Sequence, residues 1–146
     1  MRRAGATPRP TPTAHALGCG IDVLEMDRFQ RAVRRQGEPF LRRVFTANER
    51  AYARGKRLAL QHLAARFAAK EAVIKAVAQV QPHLTLGLRE IEIINDAQGR
   101  PSVRFATPGI RVNVHISLSH VASVVAAMAV AVSSRTVRRR ARRSVR

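Results

Sequence analysis

Residues 58–80, LALQHLAARFAAKEAVIKAVAQV, are the strongest run of helix formers in the chain. The run is rich in Ala and Leu and has Pro82 just beyond its end, so it reads as one long helix. At about 100° per residue, Glu71 and Lys75 fall on one side of it, one turn apart. Ala64, Ala68 and Ala72 surround them, and side chains that small leave a cavity into which a ligand can fit. The plainer alternative is an i, i+4 surface ion pair worth about 0.2–0.5 kcal/mol. Arg66 and Lys70 point to another side with His62, where solvent alone can satisfy them.

Upstream of this helix, LGCGIDVL (17–24) reads as a short buried strand whose two glycines permit close backbone approach. Glu25 to Arg35 reads as a helix with Met26, Phe29 and Val33 on one face, stopped by Gly37 and Pro39. Thr46-Ala-Asn-Glu49 matches a capping box, so a further helix opens at Thr46 and ends near Gly55. Downstream the period changes. Ile91, Ile93 and Ile94 form a strand core, Asn95 to Gly99 supply turn chemistry, and Val103 with Phe105 suggest the partner strand. Residues 112–119 alternate, with Val112, Val114, Ile116 and Leu118 inward. The β-branched pairs in Val121 to Val132 favour an antiparallel strand. A strand, then helices, then a meander define the α+β class.

The chain has 146 residues, enough for one domain, and its 46% hydrophobic content can supply a core. Its single cysteine, Cys19, excludes an intrachain disulfide and a cysteine zinc site; in an apolar run it reads as a buried structural thiol, which fits a reducing cytoplasm. The N-terminus carries positive charge without an apolar core, so it is not a secretory signal. Val121 to Val132 is shorter than the ~20 residues a spanning helix needs, and a soluble cytoplasmic protein is expected.

The net charge is +18, but Arg2, Arg3 and Arg9 lie in a Pro/Thr-rich leader (1–16), and seven arginines lie in a tail (133–146). Both ends are expected to be disordered. The body between them keeps a surplus of +8, which predicts an acidic protein or a polyphosphate as partner. A nucleic-acid or ribosome contact through the arginine ends is the alternative from a different class, although 4% aromatic content offers few stacking platforms. Only three basic residues are lysines, and two of these are Lys70 and Lys75.

Two further pieces bear on chemistry. Asp22 is an isolated acid at the end of an apolar strand and must be hydrogen-bonded, paired or metal-bound; an N-cap role is the bland reading. Ser119-His120 ends the alternating strand. Strand neighbours point to opposite faces, which argues against a Ser–His relay between them, and His120 reads as a phosphate-binding histidine or a turn cap. There is no Gly-rich phosphate loop.

Together, GCGID (18–22), RFAAKEAVIKA (66–76), ISLSH (116–120) and the Asp96-x-x-Gly99-Arg100-Pro101 turn resemble the holo-acyl-carrier-protein synthase family, the short phosphopantetheinyl transferases. The resemblance runs from about Leu17 to Val132, and its eleven-residue helix motif is highly specific. It implies the phosphopantetheinyl transferase fold, with a long central helix packed on a small antiparallel sheet. The implied activity moves phosphopantetheine from coenzyme A to a serine of an apo acyl carrier protein, with Mg2+ held by Asp22 and Glu71. Two carboxylates plus phosphate oxygens suit that cation. Lys75 is implied to neutralise charge on the bridging or leaving phosphate, and Glu71 to take the serine proton directly or through a metal-held water. The resemblance brings Arg57, Arg66, Gly99, Arg100, Pro101, Ser119 and His120 to coenzyme A. It makes Arg28, Arg31, Arg34 and Arg35 the docking surface for the acidic carrier protein. It also implies a homotrimer with active sites between subunits and a place in fatty acid biosynthesis. Gln61, His62 and Ala65 depart from the family pattern without touching the implied metal ligands.

Overall fold

The computed structural model describes residues 16–134. The elements run β1 (Leu17–Glu25), α1 (Met26–Val44), α2 (Ala47–Arg54), α3 (Ala59–Val80), a 3-10 turn (Leu88–Glu90), β2 (Ile91–Asn95), β3 (Pro101–Phe105), β4 (Val112–His120) and β5 (Val124–Ser133). Nearly all of the leader and the arginine tail lies outside the described residues.

α3 is the spine. It lies across an antiparallel sheet of order β1-β5-β4, and its contact with β1 is unusually close because that strand is glycine there. A Cβ at Gly18 or Gly20 would stand 2.0 Å from the carbonyl oxygen of Ala76 or Ala72. The facing side chains are small too: Ala68, Ala72 and Ala76 on α3, and Ala127, Ala129 and Ala131 on β5, are all buried. The alanines therefore close the helix onto the sheet. Ala64, Ala68 and Ala72, expected to leave a cavity, are fully buried instead.

Putting the glycines inward turns the apolar residues of β1 outward. Ile21 and Val23 are 63% and 62% exposed, with Leu17 and, across from Ile21 on β5, Met128 beside them. The strand is thus not buried on both faces, and Cys19, on that outer face, is exposed rather than a buried thiol. The free edge of β1 is covered by α3: Gln79 Oε1 accepts from the Cys19 N–H at 3.2 Å, and Gln79 Nε2 donates to the Cys19 carbonyl at 2.5 Å.

Gly37 stops the first stretch of α1 as expected, with φ 63 and ψ −150; a second helical stretch follows directly and runs to Val44. Pro39 sits early in the resumed stretch, where a missing N–H breaks no intrahelical bond. Phe29 packs edge-on against Phe40 and Phe45 and at a tilt against Phe67, at centroid distances of 6.2, 6.5 and 6.0 Å. The capping box at Thr46 is present, with Thr46 Oγ1 accepting from the Glu49 N–H and Glu49 Oε2 accepting from the Thr46 N–H. The β2-β3 hairpin, turned by Asp96 to Gly99, buries Ile91 and Ile93. β4 shows the expected alternation, and β5 is antiparallel to both of its neighbours. Among the described residues no helix is long and apolar enough to cross a membrane.

Candidate active site

The inward row of β1 continues from Gly18 and Gly20 to Asp22. Because the two glycines fix α3 against the strand, Asp22 arrives beside the next exposed turn of the helix. Lys75 Nζ donates to Asp22 Oδ1 at 2.8 Å and to the Ile21 carbonyl at 2.9 Å. Asp22 is not the cap of α1; that position belongs to Glu25. Glu71, one turn before Lys75, shares a cleft of about 300 Å³ with Asp22, Leu24, Arg28, Phe29, Phe40 and Phe67. Burial pushes the Glu71 carboxyl above its ordinary value, the negative charge of Asp22 adds to this, and Lys75 offsets part of it. Two carboxylates at one cleft keep oxygens without a hydrogen-bond donor, although Lys75 and Arg28 balance their charge. That is a donor set suited to a hard divalent cation which keeps open positions for phosphate oxygens. Asp22, Glu71 and Lys75 are thus brought together as expected, and Arg28 joins them from α1.

A second cleft, of about 240 Å³, lies toward β4, the opposite edge of the sheet from β1. Tyr52, His62, Arg66, Asn95, Pro101 and His120 line it. Arg66 is buried here, not solvated. Its guanidinium carbon sits 4.1 Å from the Tyr52 ring centroid, Nη2 donates to Asn95 Oδ1 at 2.9 Å, and Nε has no protein partner among the described residues. Burial lowers the His62 pKa, and the positive charges of Arg66, Lys56 and His120 lower it further. Lys70, the other residue expected to meet solvent, is completely buried against Glu49.

Gly99 and Arg100 form the β2-β3 turn. The Arg100 side chain is exposed and paired with Asp96 at 2.8 Å; the Arg100 backbone N–H, then its guanidinium, hold the Asp96 carboxyl below the ordinary range. Arg100 and Pro101 also border a groove along β4 with Ser117 and Leu118. Ser119 stands exposed near the end of β4 and lines none of these clefts. Arg57, on the α2–α3 connection, lines a separate hollow with Met26, Leu58 and Leu60 and does not join Arg66. Arg28, Arg31, Arg34 and Arg35 are all exposed along one groove of α1. Sequence reasoning missed Tyr52 and Asn95. Each follows at a fixed step from a residue already noted, the capping-box Glu49 and the strand residue Ile93, and that spacing is the one signal that reaches them.

Fold and site together define a transferase that handles phosphopantetheine: the chain belongs to the 4'-phosphopantetheinyl transferase superfamily, whose family model matches residues 18–132. Within it, the chain is similar to holo-[acyl-carrier-protein] synthases. It is 40% identical over 114 residues to that of Protochlamydia amoebophila, covering 71% of this chain and 88% of the relative. It is 42% identical over 103 residues to that of Thermodesulfovibrio yellowstonii, covering 70% and 87%. The crystal structure of the Bacillus anthracis holo-(acyl-carrier-protein) synthase in complex with CoA (3',5'-ADP) superposes with a TM-score of 0.69 at 34% identity, over 83% of this chain and 100% of that one.

Proposed function

We propose that the chain transfers the phosphopantetheine group of coenzyme A to a serine of an apo acyl carrier protein, releasing adenosine 3',5'-bisphosphate. The observation that carries this reading is the convergence of Asp22, Glu71 and Lys75 at one cleft that Arg28 also lines. Asp22 and Glu71 would hold Mg2+, which when bound offsets the charge of the pyrophosphate. The Lys75 ammonium, whose side chain is half exposed, can exchange its carboxylate and carbonyl partners for a phosphate oxygen and stabilise charge on the leaving side. The serine oxygen attacks the β-phosphorus as the bond to the bridging oxygen breaks. Glu71 receives the serine proton, directly or through a metal-held water.

The Arg66 cleft, with Pro101 and His120, would take anionic groups of the nucleotide; Arg57, Gly99, Arg100 and Ser119, none of which lines that cleft within one chain, would reach the nucleotide from outside it, Arg100 from the neighbouring subunit. Within one chain the two clefts flank opposite edges of the sheet, and the outer face of β1 and β5 is apolar. Both features support a homotrimer whose active sites lie between subunits. Arg28, Arg31, Arg34 and Arg35 form a basic groove that continues through Arg28 into the Asp22/Glu71 cleft, which supports docking of an acidic carrier protein beside the chemistry. Mass spectrometry of an apo carrier protein after incubation with the protein, Mg2+ and coenzyme A tests the reading. One phosphopantetheine should be added, and an unchanged mass would refute it.

A further inference from the structure

Residues that the proposed chemistry leaves idle meet at one buried point. Lys70 Nζ, on α3, donates to Glu49 Oε2 at 2.6 Å and to the Val44 carbonyl at 2.8 Å, and neither Lys70 nor Glu49 is exposed. Glu49, on α2, also accepts the Ile93 N–H of β2 on Oε1 and the Thr46 N–H on Oε2, both at 2.9 Å. One carboxylate therefore ties α2, α3 and β2 together.

Each of those elements also supplies one part of the Arg66 cleft, at a short fixed step from the tie. Tyr52 follows Glu49 by about one turn of α2, Arg66 precedes Lys70 by about one turn of α3, and Asn95 follows Ile93 by one pleat of β2. At these periods the tie and the cleft share faces of the same elements. The Arg66 guanidinium is held between Tyr52 and Asn95, so its place depends on how α2 and β2 sit against α3.

We infer that Glu49 and Lys70 are positioning residues for Arg66: their buried pair fixes the two walls that aim the guanidinium at an anionic group of coenzyme A. This rests on reading the Arg66 cleft as part of the coenzyme A site. An apolar pair of similar volume would remove the two buried charges but would leave the Ile93 and Thr46 N–H groups and the Val44 carbonyl without partners. It would not fix direction, whereas a carboxylate taking two backbone N–H groups and an ammonium sets three elements within hydrogen-bond tolerance.

Tyr52 is the chain's sole tyrosine, and there is no tryptophan, so tyrosine emission reports directly on the stack with Arg66. The test compares Arg66→Ala, Glu49→Gln and the double variant Glu49→Leu/Lys70→Met in the full-length protein. Arg66→Ala should raise the KM for coenzyme A about tenfold. The Glu49 and Lys70 variants should do the same, leaving the carrier-protein KM unchanged and kcat at saturating coenzyme A within about twofold. Their tyrosine emission should move toward that of Arg66→Ala. The double variant should lower the Tm, because it leaves buried backbone groups unpaired, yet its folded fraction should keep a raised coenzyme A KM; Glu49→Gln carries the same test if the double variant fails to fold.

Folded variants with wild-type emission and wild-type coenzyme A KM would overturn the inference while leaving the cleft assignment intact. Variants that only lose kcat, with both KM values unchanged, would overturn it equally. Should Arg66→Ala itself leave the coenzyme A KM untouched, the cleft assignment fails first and the inference falls with it.

Discussion

Lys70 and Lys75 stand on the same helix, and each faces a carboxylate at hydrogen-bond distance, Glu49 at 2.6 Å and Asp22 at 2.8 Å. Their side chains are 0% and 49% exposed. At the buried pair every oxygen of the carboxylate has a donor: Ile93 N–H on one, Thr46 N–H and Lys70 on the other. At the open pair Lys75 meets one oxygen of Asp22, and the neighbouring Glu71 carboxylate has no hydrogen-bond donor among the described residues. A Lys–carboxylate contact closed on all sides is architecture; one left unfinished beside a second carboxylate has capacity for a ligand.

The strongest way to break this contrast is at the open pair. Asp22→Asn and Glu71→Gln should each lower kcat/KM by about a hundredfold or more while circular dichroism shows the fold retained. Near-normal turnover of both variants at limiting Mg2+ would remove these carboxylates from the chemistry. Lys75→Ala follows, with kcat reduced about tenfold or more and a modest change in carrier-protein KM, because its charge matters most as negative charge moves to the leaving group.

Charge reversal on α1 sharpens the contrast from outside the cleft. Arg28→Glu with Arg31→Glu should raise the carrier-protein KM about tenfold and change the coenzyme A KM little, and wild-type activity should fall as ionic strength rises. Loss of coenzyme A binding with an unchanged carrier-protein KM would move the docking surface elsewhere, toward Arg42, Arg43 and Arg50.

The sequence carried the open pair well and the buried pair badly, for a physical reason. Glu71 and Lys75 are joined by helical period, but Asp22 read alone suggests a helix cap, and only the family resemblance of the three motifs together joins it to them. The partner of Lys70 lies on a different element, and nothing in the local pattern around Lys70 distinguishes a buried ammonium from a solvated one. The same holds for Arg66, whose ring and amide partners come from α2 and β2. β1 was misjudged because hydrophobicity implies that Leu17, Ile21 and Val23 face the core, whereas α3 requires the glycine side. Capping at Thr46, the β4 alternation and the antiparallel β5 were legible because each depends on a short repeat or a local hydrogen bond.

The smallest expected effect tests the cost of leaving the open pair unfinished. Burial, then the charge of Asp22, raise the Glu71 carboxyl above 4.5, and Lys75 offsets part of the shift. The folded protein therefore favours protonated Glu71. The stability this contributes is fully present below the unfolded-state value and is lost as pH rises through the higher folded-state value. At pH 7, in chelator, ionised Glu71 should be a burden that Glu71→Gln relieves, raising Tm by about 2 °C. That advantage should vanish on acidification below about pH 4.5, where wild-type Glu71 carries its proton. Mg2+ should raise the wild-type Tm and leave that of Glu71→Gln almost unchanged, because binding to the folded state stabilises only where the ligands are intact. A variant less stable than wild type at pH 7 in chelator, with the gap closing in acid, would show that a basic group already satisfies Glu71. The open pair would then be as closed as the buried one, and the distinction between the two lysines would not hold.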